Sequence, residues 1–210
     1  MRKLFLVILM VAAVTVSGVT VDRVAAVIDQ QVLTVSEVGQ MAAIRFFARD
    51  PGESEDDYRR DILDALIAQA LRLRDVERFG APDVPLDSIE ARLQQIQNRF
   101  ASMEELEEVL IRAELTLDDV RTLIKRQLQV ELYIQERFAP LVFVPSEEIE
   151  QYYRTTWTQQ RRERRLPVVP LDQAREEIRE LLRGDRLAAD VERWTGRLRL
   201  RASVDIYAWR

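Results

Sequence analysis

A mostly α-helical domain closed by a small antiparallel sheet is what this sequence predicts, and three observations predict it. Apolar residues recur at three- and four-residue spacing over most of the chain. A Ser or Thr followed three residues later by an acidic residue marks the start of one such segment after another. Beyond the apolar N-terminus, β-favouring residues gather at the two ends only, around 22–33 and 203–208.

Taken in order, VDRVAAVIDQQVLTVSEV (21–38) opens with Val-rich sequence, turns at Asp29-Gln30-Gln31 and resumes at Val32-Leu33, which reads as a hairpin. Thr34 and Glu37 then form a capping box, the hydroxyl accepting a backbone N–H while the glutamate reaches back. The helix it starts is expected over about 35–48, ended by Asp50-Pro51-Gly52. Ser54 with Asp57 starts a second helix, expected to run to Phe79 and to stop at Gly80, which can take a left-handed C-terminal turn. Its wide apolar face, including Tyr58, Ile62, Leu66, Ile67 and Leu71, makes it central to the core.

A narrower stripe, Leu86, Ile89, Leu93, Ile96 and Phe100, predicts a third helix. Ser102 with Glu105 caps a short fourth, and Thr116 with Asp119 a fifth over about 117–138, ended by Pro140. After the extended stretch LVFVP, Ser146-Glu147-Glu148 starts another helix. A basic stretch and a Val-Pro pivot follow. The last long helix carries Leu171, Ala174, Ile178, Leu182, Val191 and Trp194, with Gly184 as a local weak point, and RASVDIYAWR alternates as a strand. A lone strand needs a partner, and the only other strand material is the hairpin. The two ends are therefore expected to meet in one sheet.

Composition restricts the chemistry. The 210 residues include no cysteine and no histidine, so disulfides, thiolate metal sites and Ser-His or Cys-His catalysis are excluded. Arg2 and Lys3 precede the apolar run LFLVILMVAAVTVSG, the order of a secretory signal peptide with cleavage near Gly18; an uncleaved signal anchor is the alternative. Without the two positive charges of Arg2 and Lys3 the formal charge of −5 becomes −7, which disfavours nucleic acid as a partner. The sequence shows neither an internal repeat nor a phosphate-binding loop, and no cofactor is expected.

The stretches VDRVAAVIDQQVLTVSEV, YRRDILDALIAQALRLRDVERFG and LTLDDVRTLIKRQLQVELYIQERFAPLVFVPSEEIEQYY, followed by a terminal helix and strand, resemble the SurA-type periplasmic chaperones and their peptidyl-prolyl isomerase relatives. The resemblance implies a chaperone module in which an N-terminal helical lobe and a C-terminal helix and strand fold together. In that family parvulin-type isomerase domains are inserted between the two parts. Here the corresponding stretch is about fifteen residues, too short for a domain of at least about 50, so isomerase activity is not expected. The divisions expected are a signal peptide at 1–18, a helical lobe at 19–153, a basic linker at 154–169 and a terminal helix and strand at 170–210 that complete the same domain.

The function this implies is an ATP-independent periplasmic holdase for unfolded polypeptides, outer-membrane proteins in particular. The alternatives are an interaction module for one fixed partner and an isomerase-related protein with residual activity. Adaptable apolar surface suits a holdase, which makes Met41, Ile44, Phe46 and Phe47 on the first helix, and Tyr152, Tyr153 and Trp157 beside the linker, the candidate client-binding residues. Phe46 and Phe47 are adjacent and cannot easily face one core, so surface contact for one of them stands beside packing of these residues against the second helix. Phe47 and Trp157 are expected on opposite sides of one crevice. Arg161, Arg162, Arg164 and Arg165 read either as a solvated linker or as a contact for anionic headgroups or acidic clients, a peripheral contact with membrane.

Overall fold

The computed structural model describes residues 22–208, so the signal segment expected at 1–18 lies outside the described residues. Strands β1 (Val24–Ile28) and β2 (Gln31–Thr34) form the hairpin, and β3 (Val204–Ile206) adds to the free edge of β1, giving the antiparallel order β2-β1-β3. The two stretches of strand sequence pair as expected. Ile28 pairs with Gln31 across the turn and with Val204 on the other side. Asp29 is the hinge of this arrangement, with φ at 53°. Its N–H donates to the Ser203 carbonyl at 2.8 Å, its Oδ1 accepts from the Ser203 N–H at 2.8 Å, and its other oxygen pairs with Arg74.

Five helices follow the hairpin, of which α1 and α2 pack on the strands: α1 (Val35–Ala43), α2 (Glu55–Phe79), α3 (Leu86–Gln97), α4 (Met103–Arg112) and α5 (Leu117–Arg137). The expected caps of four of them form. Thr34 and Thr116 make complete capping boxes with Glu37 and Asp119, and the hydroxyls of Ser54 and Ser102 accept from the N–H groups of Asp57 and Glu105. Gly80 ends α2 with φ at 96°. The main core lies between the sheet and these helices, with Ala25, Ala26, Ile44, Ile67 and Ile124 fully buried.

The first helix is shorter than expected. It stops at Ala43 because Arg45 takes a left-handed φ of 51° and the Phe46 N–H closes back onto the Met41 carbonyl at 3.0 Å, a helix stop built without glycine. Phe46 and Phe47 therefore lie on a turn and not on the helix. Freed from helical geometry, both rings reach the core, meeting edge to face with centroids 5.2 Å apart. Both are half-buried, so each ring has a core contact and a part left at the surface.

The stretch expected as a linker over 154–169 is also different. α6 (Ser146–Tyr152) passes through one π-helical turn (Tyr153–Trp157) into α7 (Thr158–Glu163), so the backbone is helical through most of the basic run and only residues 164–170 connect it to α8 (Leu171–Arg201). Gly184 does not interrupt α8, whose 31 residues extend about 46 Å. Its N-terminal half packs with α6 and the π turn around a separate core of Val144, Ile149, Trp157, Ala174, Ile178 and Leu182, forming a helical arm. Its C-terminal half packs on α2 through Val191 and Trp194. There Trp194 donates to Asp75 Oδ2 at 2.9 Å and stacks on Tyr133, centroids 5.7 Å apart. Among the described residues no helix is long and apolar enough to cross a membrane.

Candidate functional site: an apolar groove between two helices

The sequence DALIAQAL places alanines at positions 65, 68 and 70 of α2, among the larger apolar side chains of its wide face. Where small residues of one helix face larger ones of another, the contact opens into a hollow. α2 and α5 enclose such a groove, of about 480 Å³, between Ala65, Leu66 and Leu73 on one side and Leu123, Val130 and Ile134 on the other. Leu33, Met41, Phe46 and Phe47 line it from the hairpin and the turn after α1, and Glu192 lines it from α8. The volume falls in the range of ligand-binding clefts, about 300–1,000 Å³.

The lining is mostly apolar, and three of its charged groups are held in pairs. Arg72 donates to Glu192 at 3.0 Å and to Thr195 Oγ1 at 2.6 Å, and Arg92 holds Glu131 through two bonds of 3.2 and 2.9 Å. These pairs neutralise Arg72, Glu131 and Glu192, while Arg126 lines the groove without an ion pair among the described residues. Tyr58 fixes the turn that carries Phe47: its hydroxyl donates to the Phe47 carbonyl at 2.9 Å, and burial pushes its pKa up, so it remains a neutral donor.

The seven candidate client-binding residues separate into three groups. Met41 and Ile44, at 3% and 0% exposure, belong to the core, although the edge of Met41 reaches the groove. Phe46 and Phe47 line the groove directly. Tyr152, Tyr153 and Trp157 lie in the arm, where Trp157 is buried at 4% exposure beneath Tyr153, which stacks on it at 5.4 Å. Trp157 and Phe47 thus belong to different cores and do not face each other across one crevice.

The four arginines also divide. Arg161 is structural: its guanidinium lies 4.5 Å from the Trp157 ring centroid, donates to the Pro167 carbonyl at 2.9 Å and pairs with Glu177 at 3.5 Å. Arg162, Arg164 and Arg165 are exposed at the tip of the arm. Leu66, Leu73 and Leu123 are groove residues that sequence reasoning missed, because at helical spacing they look the same as core. The alanines at 65 and 68 were the available signal. Compared with known proteins, the sequence matches no family model and no curated protein.

Proposed function

We propose that this protein is an ATP-independent periplasmic holdase that receives extended segments of unfolded polypeptides in the groove between α2 and α5. The observation that carries the reading is the groove itself: an open apolar floor whose wall includes Met41, Phe46 and Phe47, the residue types that adapt to varied side chains. The resemblance of the sequence to SurA-type chaperones supports the same reading, as does the apolar run after Arg2 and Lys3 for export. Binding rests on apolar burial and on ordering an extended client, so affinity for any one client is modest. The protein works without isomerase activity, and outer-membrane proteins are the client class the resemblance suggests.

A fixed-partner adaptor is favoured by one separate observation. On the connector before α6, Leu141 and Phe143 are 80% and 74% exposed, a patch suited to a single docking partner.

The experiment that separates the two is suppression of aggregation, followed by light scattering, for several unrelated proteins diluted from denaturant without nucleotide. The parent is expected to suppress all of them. Ala68→Glu, which places a charge and extra bulk in the groove without emptying any core site, is expected to abolish suppression. If the parent acts on no client, or Ala68→Glu acts as well as the parent, the groove is not the client site.

A further inference from the structure

Phe47 lines a second pocket besides the groove, of about 590 Å³, on the outer side of the turn after α1. Four arginines line it, Arg45, Arg49, Arg59 and Arg99, with one carboxylate, Glu55. Arg49 and Arg59 both bond to Glu55, at 3.0 Å each. Arg45 and Arg99 are held differently. Each donates to the backbone carbonyl of the other, and Arg99 also donates to the Phe46 carbonyl at 3.1 Å. Arg45 contacts Glu105 at 3.7 Å, beyond good hydrogen-bond distance, and Arg99 forms no ion pair among the described residues. Both guanidinium groups are thus held largely by neutral partners, carbonyl oxygens and, for Arg45, the Phe100 ring 4.5 Å away, which leaves positive charge at the pocket for an anion to meet. The remaining wall is apolar, from Ala42, Ala43, Ala48, Phe47 and Tyr58. Such a lining fits an oxyanion carried on an organic body, and the planar fork of arginine matches a carboxylate in particular.

We propose that this pocket binds a peptide carboxylate, either the terminal α-carboxylate or an Asp or Glu side chain, belonging to a polypeptide that occupies the adjoining groove. The inference rests on the holdase reading for the polypeptide, and Phe47, shared by both cavities, supplies the continuity between them. An acidic group at one end of the bound segment would fix its direction in the groove, which apolar contacts alone do not.

Fluorescence anisotropy with three labelled aromatic-rich peptides tests this on the purified protein: one with a free C-terminal carboxylate, its C-terminal amide, and the same amide with an internal Gln exchanged for Glu. One or both acidic peptides are expected to bind about tenfold more tightly than the amide, since a charge-assisted bond contributes roughly that much. The arm that shows the gain identifies the carboxylate, and the gain should shrink as salt is added. In Arg45→Gln with Arg99→Gln the ratio of acid to amide affinity is expected to fall to about one. Because those residues brace the turn, Arg59→Gln, which loses only an exposed pairing with Glu55, serves as the second variant and is expected to lower the ratio with an unchanged melting curve. Equal binding of all three peptides by the parent, or a ratio that survives both variants, overturns the carboxylate site and leaves the holdase reading in place. Binding of none of the three overturns both.

Discussion

Replacing Phe47 with serine separates a groove wall from a core residue. Phe47 is half-buried, packed edge to face on Phe46, and its ring borders both cavities. Emptying a fully buried phenylalanine site costs about 3–5 kcal/mol, so a half-buried ring at a site open to solvent should cost about 1–2 kcal/mol. For a protein of this size that is a fall in melting temperature of about 2–8 °C. The exposed part of the ring is what a client would cover. Burying a whole phenylalanine yields about 1.5–3 kcal/mol, so losing the exposed third or less amounts to at most about 1 kcal/mol, or up to about fivefold in affinity. Circular dichroism melting and peptide anisotropy read the two quantities on one sample. Because the ring acts through apolar contact, free-acid and amide peptides should weaken by the same factor, unlike in the arginine variants. Unchanged affinity for every peptide would remove Phe47 from the binding surface. A melting loss above about 12 °C would place it fully in the core and refute the half-buried estimate.

Two other perturbations test the frame that holds the groove. Trp157→Ala empties the core of the arm and should cost about 3–5 kcal/mol. Since that core is separate from the main one, hydrogen exchange should accelerate in α6, α7 and the N-terminal half of α8 while β1 stays protected; equal acceleration in β1 would show that the two cores unfold as one. At Asp29, the Ser203 N–H first and the Arg74 guanidinium second hold the carboxyl below its usual pKa. A folded pKa below the unfolded value of about 3.9 gives stability that is present above that value and lost as pH falls through the folded one. The melting-temperature difference between the parent and Asp29→Asn should therefore be constant above about pH 5 and narrow below about pH 4, and a difference independent of pH would show that ionisation of Asp29 does not support the sheet.

Much of the fold was readable because the responsible interactions are local. The capping boxes at Thr34–Glu37 and Thr116–Asp119 involve residues three apart, and their hydrogen bonds form as the spacing dictates. The pairing of the two ends was readable for a different reason: with two stretches of strand sequence and no other partner for either, only one sheet could satisfy their backbone groups. The end of α1 was not readable, because its left-handed residue is Arg45 where the usual signal is glycine. The helicity of residues 154–163 was missed because arginines and threonines carry no apolar stripe; the helix there depends on Trp157 and Tyr153 docking against α8, contacts made at long range.

The candidate site divides along the same line. By itself the sequence determined the helix starts, the sheet, the absence of histidine and cysteine chemistry, and a set of aromatic residues near two helix ends. Only the tertiary structure decided that Phe46 and Phe47 border an open groove while Trp157 is enclosed in the arm. It also decided that Leu66 and Leu123 line that groove, and that Arg45 and Arg99, 54 positions apart in the sequence, brace one turn. Periodicity records which face of a helix avoids water. Whether that face is filled by a neighbour or left open depends on how two helices pack, which is decided by side chains that the fold brings together from distant positions, here from α2 and α5.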